Sequence, residues 1–296
     1  MTLTEQLDKH GLKYDENYDT SLMSSIRAGG RAKYVVYPKT TDEFILTIKL
    51  VKVYSDRFKV IGGFTNTFFS DEGYDGVIIS TSGVSEIKAN GSSFFLQTGA
   101  SLVSAIKTAS SCGIDLGAGL FGIPGTVGGA IRNNAGAFDH AISSIFCYGS
   151  FYDYENDKVI TLSVEELDFG YRTSVMQKES LVFLQGTFKG KSGDSRQIID
   201  EHNNILKIRR ERHPKQPSLG SFFKRCGDVI PAKLIDDCGL KGVRLGNAAI
   251  SQAHAGFIVN LGGATATEID SLATDVQKKI YEVYGFELIR EAEFVK

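Results

Sequence analysis

Residues 117–136, GAGLFGIPGTVGGAIRNNAG, place seven glycines in twenty positions. Glycine reaches backbone angles closed to other residues and lets a second backbone or a ligand approach closely, at an entropic cost on folding. Leu120, Ile123, Val127 and Ile131 run through the segment, whereas a flexible linker is polar and rich in Gly and Ser. The segment therefore reads as an ordered loop against which something flat or polyanionic lies. A cofactor cradle is the expectation.

Composition removes several classes. The 296 residues suit one large domain or two to three smaller ones. With 35 acidic and 33 basic side chains intermixed, the net charge of −2 leaves no footprint for nucleic acid or a membrane surface. No apolar run reaches the length of a membrane span, and MTLTEQLDKHG lacks the layout of a signal peptide. Cys112, Cys147, Cys226 and Cys238 form no CxxC pair and are expected to be reduced and buried. The five histidines form no HxxxH or HExxH pattern, so no metal is expected.

Periodicity and punctuation predict an α+β protein. Strands are expected at 33–37, 59–61, 76–81, 93–97, 144–154, 159–162 and 181–189. Thr40 with Glu43 has capping-box spacing and opens a helix; another covers 101–112 and stops at Gly113. Further helices are expected over 198–212 and 232–238. The last begins at Thr265 with Glu268 three residues on, places Ile269, Leu272, Val276, Ile280 and Val283 on one face, and ends at Gly285. A terminal strand over 286–295 would turn Phe286, Leu288, Ala292 and Phe294 inward, leaving Glu287, Glu291, Glu293, Ile289 and Val295 on the other face. KGKSGDS, 189–195, is the best linker candidate.

Few residues invite chemistry. Gly62, Gly63, Phe64, Thr65, Asn66 and Thr67 follow a short strand, and successive N–H groups in such a turn make an anion-binding concavity. The pattern is neither GxGxxG nor GxxxxGKS/T, which disfavours Rossmann and P-loop sites. Tyr171 and Arg172 set a ring beside a guanidinium able to grip a carboxylate bidentately; alone, such a pair is more often a surface strand. Ser221, between Gly220 and two phenylalanines, lacks a GxSxG elbow, so it is no hydrolase nucleophile. A hydroxyl there could donate a proton to a basic carbon or satisfy a local backbone group. Glu291 reads by periodicity as a solvent charge. Lys224 and Arg225 suit a diphosphate but are also common surface cations.

Together these segments resemble the UDP-N-acetylenolpyruvoylglucosamine reductases, FAD enzymes of bacterial peptidoglycan precursor synthesis. The matching stretches run in family order from Arg27-Ala28-Gly29-Gly30 through GGFTN, DEGYDGVII, GIPGTVGGAIRNNAGAF, FGYRTS, GSFFK, AKLIDDCGLKG, HAGFIVN and GGATATEID. The resemblance implies an N-terminal helical extension (1–20), a two-lobed FAD domain of the vanillyl-alcohol-oxidase type (21–190, lobes about 21–88 and 89–190) and a substrate domain (191–296). It assigns non-covalent FAD to the 62–67 turn, to Gly122, Ile123, Pro124, Gly125 and Thr126, to Gly128, Gly129, Asn133, Ala135 and Gly136, and to Tyr171. NADPH would reduce the flavin, which would pass a hydride to C3 of UDP-N-acetylglucosamine enolpyruvate. Arg172 would clamp the substrate carboxylate with help from Asn133 and Glu291, Ser221 would protonate C2, and Lys224 with Arg225 would meet the UDP moiety. No long exposed apolar helix or heptad asks for a partner, so a monomer is expected; the charge balance predicts no nucleic-acid or membrane partner, and the implied substrate predicts a cytoplasmic location.

The chain departs from the family in places. Phe64 and Thr65 stand where a third glycine and a serine are usual, and Glu293 where a basic residue is common. The stretch after Tyr171 has no room for the longer members' tyrosine-bearing loop, which implies the shorter subclass. Between Arg212 and Ser221 the chain is shorter than usual, so the upstream substrate-binding side chain is not placed. Two rivals are an FAD-linked oxidase of the same fold, which would not need Ser221 and Glu291, and a non-catalytic nucleotide-binding protein.

Overall fold

The computed structural model describes residues 2–55 and 57–296. The chain forms two compact units. The first comprises residues through Asp15 with Tyr34–Gly63 and Gly76–Arg209; the second comprises Glu16–Lys33, Phe64–Asp75 and Arg210–Lys296. Mixed helix and strand make the fold α+β.

In the first unit, α1 (Leu3–Lys9) is held by a capping box between Thr2 and Glu5. It buries Leu3 and Leu7 in one cluster with Phe44 and Ile48 of α2 (Thr41–Tyr54). Thr40 caps α2 by accepting the Glu43 N–H at 3.1 Å. Strand Phe58–Ile61 pairs in parallel with the end of Tyr74–Ser80. The expected helical extension over 1–20 is thus confined to α1, which is part of a core, while Tyr14–Asp19 is a strand. Its YDENYD sequence has too little apolar alternation to announce one.

A five-stranded antiparallel sheet follows, in the order Lys158–Ser163, Phe146–Asp153, Leu181–Lys189, Ser93–Gln97, Ile87–Asn90. The phenylalanines 94, 146, 151, 183 and 188 share a core with α3 (Leu102–Ser111) and α4 (Val127–Arg132). The expected linker 189–195 is corrected: Lys191–Ser192 pairs with Ile114–Asp115, and the Gly193 N–H donates to Gly113 at 2.9 Å. Gly190 permits this, since a Cβ there would lie 2.4 Å from the Asp115 carbonyl oxygen. The glycines serve close approach, not flexibility. α5 (Ser195–Arg212) then packs on the same unit, where buried His202 lies 3.0 Å from Ser110 Oγ and stacks on Phe121.

In the second unit, α6 (Pro231–Asp237) and α7 (Ala266–Tyr284) share a core with Phe222, Leu288 and Ala292. Four donors at the start of α7 are satisfied. Thr265 Oγ1 accepts from Glu268 N–H, Glu268 accepts from Thr265 N–H, and the Asp71 carboxylate accepts from Ala266 and Thr267. Ile269, Leu272, Val276 and Ile280 are buried as expected; Val283, placed on the same face by periodicity, is 51% exposed in the last turn. The terminal strand is shorter than expected. Only Glu293–Val295 is strand, parallel to Thr67–Phe69, with Phe294 stacked on Phe68 and Val295 buried, so alternation breaks where Arg290 turns toward α7. The cysteines are free but not buried: Cys112 and Cys226 are exposed, Cys147 and Cys238 intermediate.

Candidate active site

The glycine-rich segment is pinned to the first unit by its own backbone. Thr126 caps α4, and the N–H groups of Val127, Gly128 and Gly129 donate to Ala100 O, Thr98 O and Thr126 Oγ1. A Cβ on Gly128 would lie 2.2 Å from Thr98 Oγ1, and one on Gly62 would lie 2.2 Å from Thr126 Oγ1. The two glycine loops therefore meet, and only glycine fits where they do. Because the first-turn N–H groups of α4 are already bonded, this segment offers a ligand close approach instead of main-chain donors.

Two buried polar atoms of this unit, Thr81 Oγ1 and Arg209 Nε, have no hydrogen-bond partner among the described residues. Buried polar groups are normally satisfied. Arg209 packs its Cδ beside Gly122 and donates Nη2 to the Gly119 carbonyl at 3.0 Å. Thr81 lies against Gly99, next to the Thr98 that contacts Gly128. A polar cofactor along the glycine loops fits both orphaned atoms.

Phe64 occupies the usual glycine position with φ of +51°, the left-handed conformation, and is 3% exposed. Its ring packs 6.2 Å from that of Phe69. The turn is kept by side-chain burial instead of by glycine. Left-handed φ costs a non-glycine residue roughly 1–2 kcal/mol, less than the roughly 3–5 kcal/mol of truncating a buried Phe. Phe64→Gly should therefore destabilise the protein by about 2 kcal/mol, read as a lower urea midpoint, although it restores the family's residue.

In the same turn Thr67 is a buried strand residue. Asn66 Nδ2 donates to the Glu291 carbonyl at 2.9 Å, and the Glu293 N–H donates to Asn66 O at 2.8 Å.

Arg172 lies in a tight turn of the first unit. Gly170 and Thr173 exchange main-chain bonds, and Arg172 itself sits at φ +55°. Its Nη2 donates to Gly136 O at 2.6 Å, and the guanidinium carbon lies 5.0 Å from the centroid of the Tyr171 ring. Around it Asn134 Nδ2 donates to Gly170 O, Ser174 Oγ to Arg132 O, and Gln177 Nε2, the one of these outside the quoted motifs, to oxygens of Arg132, Asn133 and Arg172.

Ser221, Lys224, Arg225 and Glu291 belong to the second unit. Gly220, at φ +78°, turns the chain before exposed Ser221, and Phe222 and Phe223 are buried behind it. Glu291 N–H donates to Phe222 O at 2.8 Å and Lys224 N–H to Ile289 O at 2.8 Å. Strand-like pairing thus brings the Ser221 and Glu291 segments together. Arg290 anchors the second of them to α7, donating Nε to Gln277 Oε1 at 2.9 Å and pairing with Asp270. Glu291 is half-buried, not the open solvent charge that periodicity suggested.

The paired glycine loops form a cofactor cradle on an α+β domain, and the family matches make the protein an FAD-containing oxidoreductase with a vanillyl-alcohol-oxidase type cofactor domain. Residues 32–154 match an FAD binding domain, and 212–295 match the C-terminal domain of UDP-N-acetylenolpyruvoylglucosamine reductase. A UDP-N-acetylenolpyruvoylglucosamine reductase of Caldicellulosiruptor saccharolyticus is 37% identical over 100% of this chain and 96% of its own. One of Lactobacillus acidophilus is 34% identical over 98% and 97%. The crystal structure of the Thermus caldophilus UDP-N-acetylenolpyruvylglucosamine reductase superposes with a TM-score of 0.81 at 25% identity, covering 96% of this chain and 99% of that one. Physcomitrella patens BBE-like 1 shares the fold of 65% of this chain and 45% of its own, with a TM-score of 0.51 at 18% identity. The chain belongs to the UDP-N-acetylenolpyruvoylglucosamine reductase family.

Proposed function

We propose that this chain reduces UDP-N-acetylglucosamine enolpyruvate to UDP-N-acetylmuramate with NADPH as electron donor. The observation that carries the reading is the pairing of the Ser221 and Glu291 segments through the Glu291 N–H and the Phe222 carbonyl. The 62–67 turn, the 122–136 segment and Tyr171 would hold FAD. When bound, FAD supplies the two-electron transfer from NADPH to C3 of the enolpyruvyl group.

Arg172, whose Nη2 also donates to Gly136 O, binds the substrate carboxylate and stabilises the negative charge that grows toward it. Asn133 adds a donor to the same carboxylate. Ser221 Oγ gives its proton to C2, a role that an exposed hydroxyl backed by buried Phe222 and Phe223 can perform. Glu291 assists by a charge-assisted hydrogen bond, its main chain held by Asn66 and Phe222. Lys224 and Arg225 meet the diphosphate. The same reading places the protein in the cytoplasm, where this substrate and NADPH occur. No helix of the described residues is long and apolar enough to cross a membrane.

Mass spectrometry of a reaction with NADPH and UDP-N-acetylglucosamine enolpyruvate tests the proposal. A product heavier by two hydrogens is expected. In deuterated water one deuterium should enter at C2. Unchanged substrate, with FAD bound, would refute the assignment.

A further inference from the structure

We propose that Gln177 is a positioning residue that fixes the Arg172 turn and sets which end of the Asn133 amide faces the substrate. The proposal rests on the reading above, in which Arg172 and Asn133 bind the carboxylate. Gln177 is exposed, and it lies outside the motifs that carry the family resemblance. Yet its Nε2 lies 3.0 Å from Arg132 O, 3.0 Å from Asn133 Oδ1 and 3.1 Å from Arg172 O.

An amide nitrogen donates and does not accept. It therefore selects three oxygens, and its contact with Asn133 engages the carbonyl end of that side chain. Nδ2 is then the end of Asn133 available to a carboxylate, which only accepts. A rotated Asn133 would turn Oδ1 toward the carboxylate and repel it.

Gln177 also acts on the backbone of Arg172. At φ +55° that residue holds a conformation that persists only where its surroundings over-determine it. The Gln177 bond to the Arg172 carbonyl is one such restraint, and it fixes where the guanidinium starts. The turn keeps other ties in its absence, namely Asn134 to Gly170 and Ser174 to Arg132. Loss of Gln177 should thus disturb aim before it disturbs folding.

The test uses the FAD-loaded enzyme with Gln177→Glu and Gln177→Lys. Glutamate keeps the shape but has no N–H, and faces three oxygens with negative charge. Lysine brings donors only. For Gln177→Glu, KM for UDP-N-acetylglucosamine enolpyruvate should rise and reoxidation by that substrate should slow about tenfold, the equivalent of one to two lost hydrogen bonds. Its reduction by NADPH, its flavin content and its Tm should stay at the parental level. Gln177→Lys should restore most of the lost rate. An exposed glutamine of no function would tolerate glutamate, so parental kinetics in Gln177→Glu would overturn the proposal. So would equal losses in both half-reactions, or a lysine variant as slow as the glutamate one. Arg172→Ala separates the two levels. If it too leaves substrate turnover intact, the carboxylate reading fails and Gln177 falls with it. If Arg172→Ala is slow while Gln177→Glu is normal, only the role of Gln177 fails.

Discussion

Ser221→Ala should leave flavin reduction by NADPH at the parental rate while slowing reoxidation by the enolpyruvyl substrate about 10³-fold, within the range that a positioned general acid supplies. The split follows from chemistry. Hydride transfer from NADPH needs no proton at C2, whereas reduction of the vinyl group leaves a basic carbon that must be protonated. Alanine removes one oxygen from an exposed position, and the adjoining pairing of Phe222 with Glu291 uses main-chain atoms only. The fold should therefore persist. Anaerobic stopped-flow absorbance of the two half-reactions checks this, and an equal loss in both would remove Ser221 from proton transfer.

Arg172→Lys should lower the rate of the same second half-reaction about 10²-fold, comparable with loss of one preorganised donor at a developing oxyanion. Arg172 already donates one Nη to Gly136 O and stacks on Tyr171. These contacts set the plane of the guanidinium fork. A lysine ammonium is a point charge without that plane. It could satisfy the Gly136 carbonyl or the carboxylate, but it could not hold both in the fork's geometry. Steady-state kinetics with saturating NADPH is the check. Near-normal turnover would remove Arg172 from the mechanism.

Local signals made much of the fold readable. Thr40 and Thr265 cap the helices that their spacing announced, Ser101 caps the helix expected over 101–112, and Gly113 and Gly285 end two of the three with positive φ. Strands Ser93–Gln97 and Leu181–Lys189 lie where their apolar content put them. What stayed hidden depends on partners distant in sequence. The 189–195 stretch reads as a linker because its glycines look the same whether they flex or admit a neighbouring strand; only the pairing with Ile114–Asp115 decides. Phe64 accepts a glycine's φ because its ring finds Phe69, which no turn propensity anticipates.

The site divides along the same line. The proposed roles of Arg172, Ser221 and Glu291 come from the family resemblance, while the contacts that hold these residues were not legible in the sequence. Asn66 reaches the Glu291 carbonyl across 225 positions of sequence, and Gln177 reaches back 44 to Asn133. Both are single side-chain amides, and an amide's partners leave no periodicity or spacing to read.

The most direct measurement is anaerobic stopped-flow absorbance of the purified FAD-loaded protein near the flavin band, adding NADPH first and UDP-N-acetylglucosamine enolpyruvate second. The account predicts bleaching by NADPH and return of colour on addition of the enolpyruvyl sugar nucleotide, with stoichiometric UDP-N-acetylmuramate. Bleaching with no return of colour would contradict the proposed substrate.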